Sequence, residues 1–123
     1  FVIALNLILS RGVLTEAIRF FYNRSRPFEV FNFTPLVNAS SSSFPSGHAA
    51  LFFALGLAVF NFNRRWGYWF FSFAFLNGLA RIFVGVHWPT DILGGLFVGL
   101  FSNKLIWHFL KKFSFENPKT PVY

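Results

Sequence analysis

Long apolar segments, separated by short polar breaks, fill most of this chain and limit what it can fold into. The pattern predicts one helix over about residues 1–22 and three more over 46–60, 66–84 and 89–110, with a loop over 23–44 and a polar turn over 61–65. These helices have about 15–22 residues, against roughly 20 needed to cross a bilayer. Charged residues make up only 12% of the chain, whereas soluble domains contain about 25%. Together these features indicate that lipid is the solvent.

The length of the chain allows one domain over residues 1–123. We expect an all-α transmembrane bundle with at least three spanning helices and a polar tail over 111–123. The sequence contains no Met and opens with Phe1 inside an apolar run, so we expect a piece of a longer protein with one or more helices upstream. A cleaved leader over residues 1–9 fits poorly because no basic residue precedes that run. The alternative is a soluble all-α protein with these helices buried.

Basic pairs predict the orientation of the bundle. Arg64-Arg65 and Lys111-Lys112 follow two predicted helices whose ends lie on the same side of the bundle. The positive-inside rule makes that side cytoplasmic. Aromatic residues near these ends resemble an interfacial belt: Trp66, Tyr68, Trp69 and Trp107.

Three phrases of the sequence hold nearly all of the residues that can do chemistry. They are Arg19 followed after six residues by Arg26-Pro27, then Pro45-Ser46-Gly47-His48, then Arg81 followed after five residues by His87 and after three more by Asp91. They contain two of the three histidines, three of the seven arginines and the only aspartate. This distribution predicts one anion-binding catalytic site, assembled from three places in the chain and facing away from the basic pairs.

The middle phrase has the chemistry of an anion cradle. Pro45 suits the first position of a helix, where its missing N–H costs nothing. Ser46, Gly47 and His48 then lie in the first turn, whose free N–H groups and positive dipole end bind anions. Gly47 lets an oxygen approach the backbone, and Ser46 adds a hydroxyl donor. The other phrases supply guanidinium groups with paired donors that match phosphate oxygens: Arg19, Arg26 and Arg81.

The net charge of +7 does not indicate a nucleic-acid partner. Four of the eleven basic residues lie in or beside the three phrases, and the others flank apolar segments. No basic stripe is interleaved with stacking aromatic residues, as a nucleic-acid backbone would need. Arg24 lies just outside the phrases, and we expect it to be a solvated loop charge.

Together the three phrases resemble the signature of the type 2 phosphatidic acid phosphatase superfamily, abbreviated PAP2. That group includes membrane lipid phosphatases, soluble acid phosphatases and vanadium haloperoxidases. Its signature reads Lys-x6-Arg-Pro, Pro-Ser-Gly-His and Ser-Arg-x5-His-x3-Asp. Over residues 19–91 the chain keeps the order and every spacing inside the phrases, with Arg19 in place of Lys and Ala80 in place of Ser. Arg19 keeps the charge but changes its reach and geometry.

The resemblance implies a role for each histidine in the phrases. His87 would attack phosphorus and form a phosphohistidine, while Asp91 would hold the other ring N–H, as in catalytic triads. His48 would protonate the leaving oxygen and then activate water. His108 lies outside every phrase, and we expect it to be structural.

We expect neither a metal ion nor another cofactor. The chain has no Cys, and its carboxylates are too few and too scattered for a two-metal site: Glu16, Glu29, Asp91 and Glu116. A small-xxx-small pattern at Gly95 and Gly99 permits close packing against another helix. We expect that helix to belong to the same subunit, and a dimer contact is the less favoured alternative.

Hydrolysis of a phosphate ester or diphosphate on a lipid, in a bacterial inner membrane, is the function that the resemblance implies. Undecaprenyl diphosphate is the first expected substrate by family analogy alone, and phosphatidic acid or phosphatidylglycerol phosphate is the alternative. A vanadium haloperoxidase is disfavoured because those enzymes are soluble. A non-catalytic lipid-binding relative is disfavoured because both histidines are present.

Overall fold

The computed structural model describes residues 1–116, which are helical apart from turns and loops. No strand occurs in that range, so the expected all-α fold is confirmed. The elements are α1 (Val2–Leu7), a π-helical segment (Ile8–Leu14), α2 (Thr15–Phe21), α3 (Pro27–Phe31), α4 (Gly47–Phe62), α5 (Arg64–Phe83) and α6 (Pro89–Glu116).

The helix predicted over residues 1–22 is present, but its middle is π-helical. α1, the π-helical segment and α2 follow one another without a break. Within the π-helical stretch backbone hydrogen bonds span five residues, and Thr15 Oγ1 also donates to the Ser10 carbonyl at 2.8 Å. The apolar pattern of the sequence does not indicate this π-helical stretch.

Helix α4 lies at the centre of the bundle and packs against α1, α5 and α6. Its buried face consists mainly of small residues, which allow the neighbouring backbones to approach closely: Gly47, Ala49, Ala50, Ala54, Gly56 and Ala58. Many of the large apolar side chains point outward instead, including Phe73, Phe97, Phe101 and Phe109. A bundle that is small inside and aromatic outside suits a lipid environment.

A buried polar cluster ties the first helix to the rest. Asn6 Nδ2 donates to the Ala54 carbonyl on α4 and to Asn103 Oδ1 on α6, both at 3.1 Å. Ser102 Oγ donates to the Asn6 carbonyl at 3.0 Å. Asn6 and Ser102 are completely buried, and such interhelical hydrogen bonds help to hold helices together in a membrane.

Two predicted helix boundaries are wrong. The turn predicted over 61–65 shrinks to Asn63, which ends α4 and caps α5 by accepting the Trp66 N–H at 3.2 Å. The tail predicted from Lys111 is helical as far as Glu116, where the described part of α6 ends. The remainder of that predicted tail, residues 117–123, lies outside the described residues.

The segment predicted as a loop over 23–44 contains the short helix α3. Pro27 is its first residue, and the Glu29 carboxylate accepts the Arg26 N–H at 2.6 Å. Proline at the first position with an acid two residues later is a helix-start signal that the loop interpretation missed. The segment is anchored to the bundle by Phe28 N–H, which donates to the Gly85 carbonyl at 3.1 Å.

By length and composition, one of the described helices is long and apolar enough to cross a membrane. It is the part of α6 over Pro89–Phe113, which has 25 residues and contains an 18-residue stretch with a mean hydropathy of 1.3. α4 is apolar but has 16 residues, or about 24 Å of rise. The 20 residues of α5 would rise about 30 Å, but its arginines and polar aromatic residues lower its hydropathy. The further spans remain predictions.

The two glycines of the small-xxx-small pattern face α4 within the same chain. A side-chain carbon added at Gly95 would lie 2.5 Å from Ala49 Cβ and 2.7 Å from the Ser46 carbonyl oxygen. One added at Gly99 would lie 2.9 Å from the Ala54 nitrogen. Their role in close packing inside one subunit is therefore confirmed.

Replacing Gly95 with Leu should destabilise the bundle. The new side chain would push α6 away from the start of α4, and overpacking of this kind costs about 1–3 kcal/mol or more. We expect a lower midpoint of thermal unfolding for the protein in detergent. Gly12→Ala is the matched control, because a side chain there has no neighbour within 4 Å. Equal unfolding midpoints for Gly95→Leu and the wild type would contradict the packing.

Candidate active site

The three phrases of the sequence meet at one end of the bundle. Arg19 is in the last turn of α2, Arg26 caps α3, Ser46 caps α4, and Arg81 is in the last turn of α5. His87 lies in the turn before α6, and Asp91 lies in the first turn of that helix. The Ser46 N–H donates to the Asp91 carbonyl at 2.9 Å, which ties the second phrase to the third.

Asp91 orients the ring of His87. The carboxylate is completely buried, and its Oδ2 lies 3.4 Å from His87 Nδ1. The same oxygen accepts the Trp88 N–H at 2.8 Å and the Ser43 hydroxyl. With Nδ1–H directed to Asp91, the lone pair of a neutral imidazole resides on Nε2. That atom can act as a nucleophile.

The environment of His87 keeps its ring neutral. The residue is 3% exposed, and its Nε2 lies 3.4 Å from Arg26 Nη1. Burial lowers the pKa of His87 below its usual 6.5 and is the largest effect, while the hydrogen bond to Asp91 raises it and the charge of Arg26 lowers it. A neutral imidazole near pH 7 suits nucleophilic attack.

His48 lies on the outer side of the site, where it is exposed. Nη2 of Arg81 lies 2.6 Å from Nδ1 and 2.7 Å from Nε2 of the His48 ring. Arg81 therefore contacts one predicted catalytic histidine directly. The two histidines occupy different environments, one buried beside a carboxylate and the other open beside a guanidinium.

The start of α4, where the anion cradle is predicted, differs from the prediction at one residue. Pro45 is not the first helical residue, because Ser46 is the cap and Gly47 begins the helix. Ser46 Oγ accepts the Ala49 N–H at 3.3 Å, so its own hydroxyl hydrogen is still able to donate. The N–H groups of Gly47 and His48 belong to the first turn, which has no acceptors within the helix.

Arg19 and Arg26 are held by backbone carbonyl groups. Arg19 Nη2 donates to the Pro45 carbonyl at 3.1 Å. Arg26 donates from Nε to the Ser41 carbonyl at 2.9 Å and from Nη1 to the Val86 carbonyl at 2.8 Å. These bonds hold the Arg26 guanidinium beside His87 and the Arg19 guanidinium beside the residue that precedes the Ser46 cap, although Arg19 replaces the expected lysine.

Arg24 is not the solvated loop charge that we expected. Its Nη1 donates to Asp91 Oδ1 at 3.0 Å and to Thr90 Oγ1 at 2.6 Å. Its guanidinium lies over the Trp88 ring, 5.5 Å from the centroid. Arg24 therefore contacts the carboxylate that lies beside His87.

Sequence reasoning also missed Ser43 and Arg11. Ser43 is completely buried and donates to Asp91, yet it is one of four consecutive serines with no distinguishing pattern. Arg11 reaches the start of α4, where a side-chain carbon on Gly47 would lie 2.5 Å from Arg11 Nε. His108, in contrast, is exposed on α6, 17 residues beyond Asp91 and therefore about 25 Å along the helix.

Within residues 1–116, no three His, Cys, Asp or Glu side chains are grouped as a metal ion would require. The positive charges at the site are all guanidinium groups. Catalysis without a metal remains a prediction.

Comparisons with known proteins agree on one family. A family model described as the PAP2 superfamily matches residues 1–115. The undecaprenyl-diphosphatase BcrC of Bacillus subtilis is 35% identical over 98 residues, which cover 79% of this chain and 51% of the relative. The chain spans about half the length of the curated relatives it matches.

Two solved structures have similar folds. LpxE of Aquifex aeolicus is 28% identical with a TM-score of 0.76, over 87% of this chain and 66% of that protein. A transmembrane PAP2-type phosphatidylglycerolphosphate phosphatase of Bacillus subtilis is 29% identical with a TM-score of 0.65, over 89% of this chain and 58% of that protein.

The environment of His87 predicts how activity depends on pH. Because burial lowers the pKa of this ring, the acid limb of kcat/KM should have its midpoint below pH 6.5. Asp91→Asn removes a contribution that raises this pKa, so the limb should move to still lower pH while the rate falls. Both profiles are measured with one substrate, so that its own ionisation is common to both. A shift of the limb to higher pH in Asp91→Asn would contradict the assignment.

Proposed function

This chain belongs to the PAP2 superfamily and has the all-α transmembrane fold of that family, and we propose that it hydrolyses a phosphate ester or diphosphate on a lipid. One observation carries the proposal. A buried imidazole, His87, has Nδ1 beside the carboxylate of Asp91 and Nε2 beside the guanidinium of Arg26. A nucleophile placed next to a fixed cation suits attack on an anionic phosphoryl group.

In the first step, the lone pair of His87 Nε2 attacks phosphorus as the bond to the leaving oxygen breaks. The phosphoryl oxygens would be bound by Arg19, Arg26 and the first-turn N–H groups of α4, which neutralise the charge spread over them. His48 donates a proton to the leaving oxygen. Asp91 stabilises the positive charge that develops on the His87 ring.

In the second step, water attacks the phosphohistidine. His48, now neutral, accepts the proton of the attacking water, and the bond from Nε2 to phosphorus breaks. Inorganic phosphate leaves, and both rings return to their starting states. The guanidinium groups stay charged throughout, so the same cradle serves both steps.

The first proposed substrate is a polyprenyl diphosphate such as undecaprenyl diphosphate. The similarity to the undecaprenyl-diphosphatase BcrC of Bacillus subtilis supports it. The alternative is a glycerolipid phosphate, supported by the fold shared with the phosphatidylglycerolphosphate phosphatase of Bacillus subtilis. We also propose a bacterial inner-membrane location, with the site facing away from the cytoplasm, because Arg64-Arg65 lies at the opposite end of α4 from the site.

A panel of lipid substrates tests the proposal. The detergent-solubilised protein should release phosphate from prenyl diphosphates or glycerolipid phosphates in the presence of EDTA, since guanidinium groups perform the charge neutralisation. Vanadate should inhibit by occupying the phosphate cradle. Loss of activity on chelation, restored by a divalent ion, would show that the proposed chemistry is wrong. Vanadate-dependent halide oxidation would instead support a haloperoxidase.

Substituting each histidine separates the two catalytic roles. His87→Ala should form no phosphoenzyme with any substrate. His48→Ala should lose the proton donor, a contribution of about 10²–10⁴-fold, and a nitrophenyl phosphate should partly restore its first step because that leaving group needs little protonation. Phosphohistidine should then accumulate in His48→Ala, detected by rapid quench as an acid-labile, base-stable label. If a nitrophenyl phosphate restored the first step in His87→Ala instead, the two roles would have to be exchanged.

A further inference from the structure

Arg11 brings an additional cation to the edge of the proposed phosphate cradle. It belongs to the π-helical segment, and its side chain lies against the first residue of α4. A side-chain carbon on Gly47 would be 2.5 Å from Arg11 Nε and 2.9 Å from Cζ. The absence of a side chain at Gly47 therefore makes room for this guanidinium.

Glu16 joins Arg11 to Arg19. Its Oε1 lies 2.5 Å from Arg11 Nη1 and 3.3 Å from Arg19 Nη1. One anionic oxygen is thus held between two guanidinium groups, which is the environment that a phosphate oxygen requires. The side chains of Arg11 and Glu16 are 40% and 51% exposed, so an incoming anion can replace Glu16 at Arg11 at little cost, since exposed ion pairs contribute little to stability.

Both arginines keep donors that the protein does not use. Arg19 has a side chain only 8% exposed, and its Nε is buried with no hydrogen-bond partner among the described residues. A buried donor without an acceptor is costly, which indicates that a ligand supplies one. Among the described residues, the side chain of Arg11 donates a hydrogen bond only to Glu16. Arg26, in contrast, donates to three backbone carbonyls.

The position of Arg11 identifies the part of the substrate that it would meet. Its neighbour Gly47 precedes His48, the proposed proton donor to the leaving group. Arg11 is partly exposed, with 40% of its side chain accessible, whereas His87 is buried. The proposed role of His48 then assigns Arg11 to the leaving-group side of the site. The leaving group of a phosphate monoester is an alcohol, but that of a diphosphate is a second phosphate.

We propose that Arg11, beside Arg19 of the first cradle, forms a second anion subsite that binds the leaving phosphate of a lipid diphosphate and displaces Glu16. The inference rests on the proposed hydrolytic function. When the bridging P–O bond breaks, the bridging oxygen stays with the lipid phosphate, and Arg11 neutralises the charge that it gains. A diphosphate is thereby favoured over a monophosphate on the same lipid chain.

The test compares farnesyl diphosphate with farnesyl monophosphate in the same detergent. Its readout is the ratio of kcat/KM for the diphosphate to kcat/KM for the monophosphate, in which the fraction of folded enzyme cancels. Arg11→Ala should lower this ratio by about 10–100-fold, the effect of losing a hydrogen bond to a charged group. Arg11→Lys should restore part of it, because it keeps the charge. Arg65→Ala, at the opposite end of the bundle, is the matched control and should leave the ratio unchanged.

Inhibition gives a second readout of the same subsite. Methylene diphosphonate cannot be hydrolysed, and it should inhibit nitrophenyl phosphate hydrolysis at lower concentration than inorganic phosphate does. Arg11→Ala, or Arg11→Gln if the alanine variant does not fold, should remove most of this difference. If the wild type releases phosphate from neither farnesyl substrate nor any glycerolipid phosphate, the proposed function itself fails, and if it hydrolyses only glycerolipid phosphates, the subsite is wrong. If it hydrolyses either farnesyl substrate and Arg11→Ala changes neither the ratio nor the inhibition difference, only the subsite is wrong.

Discussion

The buried carboxylate of Asp91 is the contact on which the arrangement of the site depends. It accepts hydrogen bonds from the Ser43 hydroxyl, the Trp88 N–H and the Arg24 guanidinium, and it lies beside His87. A carboxylate without such partners would be very unfavourable in the interior. Each group that satisfies it comes from a different part of the loop regions. The hydrogen bonds that stabilise the Asp91 carboxylate therefore also position His87, the candidate nucleophile.

The packing of the bundle brings these loops to one end. α4 contacts its neighbours through alanine and glycine, so that the starts of α4 and α6 approach closely enough for Ser46 N–H to donate to the Asp91 carbonyl at 2.9 Å. Lipid offers no hydrophobic driving force between helices, and close backbone contact with buried polar pairs takes its place. Because small residues occupy the interior, many of the large phenylalanine side chains lie on the outer surface of the bundle.

The guanidinium groups of the site are held before any substrate arrives. Arg26 is fixed by the carbonyls of Ser41 and Val86, and Arg19 by that of Pro45. Donors that are already oriented need little reorganisation when charge develops on a phosphoryl group. The short helix α3 contributes to this order, because Arg26 is its capping residue. The segment between α2 and α4 is thus a structural part of the site.

The sequence alone determined the helical, lipid-facing character of the chain and the three phrases that carry its chemistry, because apolar periodicity and motif spacing are local properties. It could not determine that Arg24 contacts Asp91, 67 residues away, or that Arg11 lies over Gly47. Such contacts depend on how the helices pack, and a lone arginine looks the same in a sequence whether it is solvated or paired. The single-residue turn at Asn63 and the length of α6 were likewise decided by tertiary structure, since polar residues can continue a helix that packing or an N-terminal cap already stabilises.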